Sequence, residues 1–192
     1  MSEPPQKLTK ADLEIGRIYY DMLVEQARVG DTLSYGDLVA GAKVRHPDNE
    51  FVQRAIAVSA GRRLEAVRVF TNERGYPDIT SLVVNAATGE VGSAFGTDPV
   101  ARRAEIAEFD WSSVDEQFEL YISDQHAGPP VKRRKVRAVE ARRMIWDFYT
   151  VNKAALPADV VADRDDLLTR VMDGHAVADA FEQILAARKP SR

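Results

Sequence analysis

The chain has 192 residues, 45% of them hydrophobic and 29% charged, with a net charge of −4, which is ordinary for a protein that buries a core in water. It contains no Cys, and this excludes disulfides, a thiol nucleophile and zinc–thiolate sites. No apolar run reaches the roughly 18 residues of a membrane span, and residues 1–7 carry no apolar signal core, so a cytoplasmic protein away from membranes is expected.

The first predicted helix is Thr9 to Arg28. Thr9 caps it, Asp12 stands three residues on as in a capping box, and Gly30 ends it. Leu13, Ile15, Ile18, Tyr19, Met22, Leu23 and Ala27 supply its buried face. Ser34 caps a short helix, Tyr35 to Ala42, and Pro47, Asp48 and Asn49 mark the next turn. A third helix, Phe51 to Arg63, has an inner face of Phe51, Val52, Ala55, Ile56, Ser59 and Ala60. Leu64 to Glu73 suits a helix through Leu64, Val67 and Phe70, and a strand through Val67 and Val69; a helix ending at Gly75 is the reading taken. Ile79 to Val84 is rich in β-branched residues and reads as a strand, followed by a turn at Asn85, Thr88 and Gly89 and a return strand, Val91 to Phe95.

Beyond Thr97 the pattern is helical. Asp98-Pro99 starts a helix that runs to about Glu108. Phe109-Asp110-Trp111 breaks it, and a Ser-capped helix, Val114 to Ile122, aligns Val114, Phe118 and Tyr121 on one face. Gln125 to Pro130 (QHAGPP) is the linker candidate. A basic helix spans Lys132 to Asn152, with Ile145, Phe148 and Tyr149 as its apolar positions, followed by helices over Ala158 to Met172 and Ala176 to Arg188. Val160, Val161, Leu167, Leu168 and Val171 recur at helical spacing, as do Val177, Phe181, Ile184 and Leu185; they form a small bundle or offer an apolar face to a partner or a second copy.

Four pieces in order carry a resemblance: Ser34-Tyr35-Gly36-Asp37-Leu38-Val39, then Arg54-Ala55-Ile56-Ala57, then Ile79 to Val84, then the Gly-rich run Gly89 to Gly96. Together they cover roughly a third of the chain. In this order they resemble the DNA-binding domain of the O6-alkylguanine-DNA alkyltransferases and their alkyltransferase-like relatives. The resemblance implies a winged helix-turn-helix and double-stranded DNA as partner. It also implies that Arg54 enters the duplex beside a flipped base while Tyr35 presses on the adjacent phosphate. Ser81 and Leu82 stand at the family's Cys and His positions. A hydroxyl beside Leu has no base to activate it, so alkyl transfer is not expected; the protein is read as no enzyme, with a hydrolase or nuclease whose site carries no motif as the third reading.

Read from the residues alone, Tyr35 also suits half-buried packing, Arg54 a surface charge, and the third helix ordinary groove contact. In that last case Asn49, Gln53, Arg54, Arg62 and Arg63 are the residues to face DNA. The run Lys132, Arg133, Arg134, Lys135, Arg137, Arg142 and Arg143 is interrupted only by Glu140 among charged residues. Its first five cations are the expected phosphate contacts. Pro77-Asp78 with Glu90 lacks the Lys a nuclease site needs, since Gly92 stands there; His46, His126 and His175 have no ligand spacing, and no Gly-rich loop opens a helix. No metal or cofactor is expected.

The expected architecture is therefore α+β and mostly α: a winged helix-turn-helix over 8–96, a helical extension over 97–124, a linker over 125–131, and a basic helix with a small bundle over 132–188. The expected function is non-catalytic DNA binding by a regulator. A protein–protein adaptor on the same scaffold, acting on a nucleic-acid-handling complex, is the alternative.

Overall fold

Helix α1, Lys10–Val29, organises the first half of the chain. The computed structural model of the protein describes residues 8–89, 99–127 and 134–188. The Thr9 hydroxyl accepts from the Asp12 amide at 3.2 Å, the Thr9 amide donates to the Asp12 carboxylate at 2.7 Å, and Gly30 ends the helix in the left-handed region at φ 75°, as the cap residues predict. α2 (Tyr35–Arg45) opens on the Ser34 hydroxyl, which accepts from the Asp37 amide at 3.0 Å.

The expected third helix is two. α3 (Glu50–Arg54) starts on the Asn49 side chain, which accepts from the amides of Phe51 and Val52; α4 (Ala57–Arg63) follows after a break at Ala55-Ile56. The break separates residues that belong to different cores. The chain divides into two units, Met1–Gln53 with Ala60–Val131 and Arg54–Ser59 with Lys132–Arg192. Ile56 and Val58 pack on the second core, whereas Val52 and Ala60 lie fully buried in the first unit. One straight helix presents a single stripe, so serving two cores forces the turn.

In the first unit α5 (Glu65–Arg74) confirms the helical reading of that segment and ends at Gly75, φ 68°. Gly16 lets α1 meet α5 closely: a Cβ there would lie 3.0 Å from the Ala66 Cβ and 3.1 Å from the Arg63 carbonyl. Ile79–Leu82, read as strand, is a 3-10 turn instead. Asp78 is the cause, since its carboxylate accepts from the Thr80 amide at 3.1 Å and the Thr80 hydroxyl at 2.6 Å and so closes the backbone into a turn. Only Val83–Val84 (β2) is extended, and it pairs parallel with Leu33–Ser34 (β1), Leu33 opposite Val83 and Ser34 opposite Val84, rather than in an antiparallel hairpin. The expected return strand, Val91 to Phe95, lies outside the described residues.

α6 (Pro99–Glu108) and α7 (Asp115–Ala127) complete this unit. Between them Asp110 caps a 3-10 turn over Trp111–Ser113. Val114, Phe118 and Tyr121 are buried as their spacing predicts. Phe118 stands 4.2 Å from Tyr20 and 4.8 Å from Phe70 between ring centroids, and Arg74 lies over the Phe70 ring at 4.4 Å. Gln125 to Ala127, placed by the sequence in a linker, continue α7; the Gly and the two prolines after them lie outside the described residues.

In the second unit α8 spans Ala138–Asn152, not Lys132 onward. Arg137 is extended (φ −68°, ψ 145°), and the Val136 amide donates to the Met172 carbonyl at 2.9 Å, which holds the approach outside the helix. A 3-10 turn over Ala158–Asp163 leads into α9 (Arg164–Met172), and α10 (Val177–Arg188) follows Gly174, φ 85°. The core is Ala141, Leu156, Val160, Leu167, Val171, Ala180, Phe181 and Ile184, joined by Ile56 and Val58 from the earlier chain segment. Ser59 donates its hydroxyl to the Glu182 carboxylate, both side chains buried. Among the described residues the protein is thus mostly helical, and no helix is long and apolar enough to cross a membrane.

Candidate nucleic-acid interface and an apolar groove

The residues expected to face DNA do not share one environment. Arg63 is 1% exposed, and its guanidinium donates to the Asp12 carboxylate at 2.6 Å; Arg62 donates to the other oxygen of the same carboxylate at 3.1 Å. Both arginines therefore close the start of α1 instead of facing outward as the sequence reading has them. Helical periodicity puts Arg63 next to Arg62 on the surface, but packing against Asp12 turns it in. Asn49 is occupied as the cap of α3, and the Gln53 amide donates to the carbonyls of Lys43 and His46 at 3.0 and 3.2 Å. Tyr35 is half-buried, its ring edge 4.0 Å from where a Cβ on Gly61 would stand.

The remaining described candidates fall in the second unit. Arg54 is exposed, and so are Arg134, Lys135 and Arg137 on the segment leading into α8. Among the described residues Arg134, Lys135 and Arg137 are in no ion pair. Lys132 and Arg133 lie outside the described residues.

The second unit also holds a groove of about 520 Å³ that motif reading missed. Ile145, Trp146 and Tyr149 of α8 line it together with Val160, Val161, Leu167, Leu168 and Phe181. Arg142, Arg164 and Asp165 are its charged lining residues. Trp146 is 66% exposed and Val161 51%. The available signal was the spacing of 142, 145, 146 and 149, which sets one helical stripe with a cation at its N-terminal end.

At the position of the alkyltransferase nucleophile, Ser81 is fully buried and its hydroxyl makes no hydrogen bond among the described residues. Asp78 beside it is 8% exposed, and Arg102 reaches within 3.9 Å of its carboxylate. Burial pushes the Asp78 carboxyl above its ordinary range, against the lowering effects of the Thr80 hydrogen bonds and of Arg102 and Arg68. No group of three or more His, Asp or Glu able to hold a metal ion occurs among the described residues.

The raised Asp78 value has a pH consequence. A carboxyl that binds its proton more tightly folded than unfolded favours the unfolded chain once pH climbs past the unfolded value. Asp78→Asn keeps an oxygen to accept from Thr80 and removes the titration. Its melting midpoint is expected to gain on wild type as pH rises through the carboxylate range, and to lose that gain below it. Midpoints that run parallel over the whole range would show that Asp78 titrates normally.

Comparison of the chain with protein-family models, with curated proteins and with solved structures found no match to any of them.

Proposed function

We propose that the protein binds double-stranded DNA without chemistry of its own, through cations of its second unit. The observation that carries this is the sorting of the candidates: the first unit's Arg62, Arg63, Asn49 and Gln53 are spent on structure, whereas Arg134, Lys135 and Arg137 stand exposed and unpaired among the described residues. An extended basic segment suits the phosphate backbone, because each neutralised phosphate releases a condensed counterion and needs no side-chain pocket. Arg54, exposed in the same unit, adds a fourth cation. In the resemblance to the alkyltransferase-like domain, Ser34-capped α2 followed by α3 and α4 would stand for the helix-turn-helix, while β1 and β2 pair in parallel where that family has its hairpin. The broken third helix favours backbone contact over insertion of Arg54 into the duplex.

Fluorescence anisotropy with a mixed-sequence duplex across a salt series tests this. Wild type is expected to bind with steep salt dependence. The combined Arg134→Ala, Lys135→Ala and Arg137→Ala variant loses about 0.9 of slope per phosphate contact removed, about 3 in all. No binding at low salt, or binding with the wild-type slope in the triple variant, would rule the proposal out.

A further inference from the structure

We propose that the apolar groove of the second unit receives α7 of a second copy of this chain, with Leu120 entering beside Trp146 and the carboxylates of Glu116 and Asp124 meeting Arg142 and Arg164. The groove is lined mainly by apolar side chains with Arg142, Arg164 and Asp165 among them, and Trp146 and Val161 are left 66% and 51% exposed in it. Arg142 is in no ion pair among the described residues. Arg164 has only Asp165 among the described residues, at 3.7 Å with both side chains largely exposed, and a surface pair of that kind holds its partner weakly. Such a site selects a helix that shows one large apolar side chain between carboxylates.

α7 displays that pattern. Leu120 is 65% exposed on its outer face, and Glu116 and Asp124 stand one turn before and one turn after it. Both carboxylates are exposed and in no ion pair among the described residues, whereas the neighbouring Glu119 is taken by Arg17 at 2.5 Å. A single exposed leucine is ordinary on a protein surface, and so is a shallow groove. Here apolar and charged positions on the two surfaces match in kind, and one chain carries both. Every copy then offers both halves of the contact, which yields either a reciprocal pair or a head-to-tail series. Arg134, Lys135 and Arg137, proposed to contact DNA, do not line the groove.

The test is sedimentation velocity of the full chain over a wide concentration series, with substitutions at exposed positions only and folding checked by circular dichroism. Wild type is expected to self-associate and Leu120→Glu to remain monomeric. Glu116→Arg and Arg142→Glu each weaken association about tenfold, and the chain carrying both regains it. A wild-type monomer at every concentration would overturn the proposal. So would association that survives Leu120→Glu, or charge reversals that act without mutual rescue. A monomer whose Trp146 fluorescence responds to duplex DNA would give the groove to a different occupant and likewise overturn it.

Discussion

Asp12→Ala is expected to cost the first unit about 3–5 kcal/mol, the largest effect of any single polar substitution among the described residues. The carboxylate is 1% exposed and faces an equally buried Arg63 at 2.6 Å. Removing it takes a carboxylate away from a guanidinium that is itself 1% exposed. It also removes a partner of Arg62 and half of the Thr9 capping box, the latter worth about 1 kcal/mol by itself. The melting midpoint of the unit is expected to fall by on the order of 10 °C. A double variant, Asp12→Leu with Arg63→Met, takes both charges out of the buried site and is expected to recover most of the loss. Chemical denaturation of Asp12→Leu, Arg63→Met and the double closes the cycle. A loss under about 1 kcal/mol for Asp12→Ala would mean that the pair is hydrated in solution. The same experiment bears on function: if Arg63 serves structure, Arg63→Met at a temperature where the chain stays folded leaves the salt slope of DNA binding unchanged.

Phe181→Ala has the largest expected effect on the second unit, about 3–5 kcal/mol. Phe181 is 1% exposed, stands 5.0 Å from Phe148 between ring centroids, and is one of the groove's lining residues. Its loss removes apolar burial and leaves a cavity that three short helices fill poorly, and a core this small has little stability in reserve. Hydrogen exchange measured amide by amide is the check. Protection in α8, α9 and α10 is expected to drop a hundredfold or more, since about 1.4 kcal/mol corresponds to a factor of ten. A drop smaller than tenfold would show that the helices repack around the deletion.

Local signals in the chain read through to structure wherever neighbours a few residues apart decide the outcome. Thr9 with Asp12, Ser34, Asn49, Gly30 and Gly75 mark helix ends because capping is a contest between adjacent backbone groups and short side chains. The buried faces of α1, α7, α9 and α10 follow from spacing alone, since a helix with one apolar stripe has one way to bury it. Ile79 to Leu82 was misread because β-branched residues outweighed Asp78, whose carboxylate folds the backbone into a turn.

The fate of the candidate site depended on tertiary structure. Arg62 and Arg63 are adjacent cations in sequence with nothing local to tell them from surface charges, and only the meeting of α4 with the start of α1 joins them to Asp12, fifty residues away. The break at Ala55-Ile56 arises because Ile56 and Val58 belong to the second unit's core, formed mainly from residues eighty or more positions later. The groove beside Trp146 is built from α8, α9 and α10 together, and its open face is a property of how those stripes fit. Amino-acid order thus determined where helices begin, end and turn their apolar sides, because those choices are local. Which charges are buried, which helix is broken and which apolar surface stays uncovered were decided by long-range packing, where the two partners to a contact carry no mark of each other in sequence.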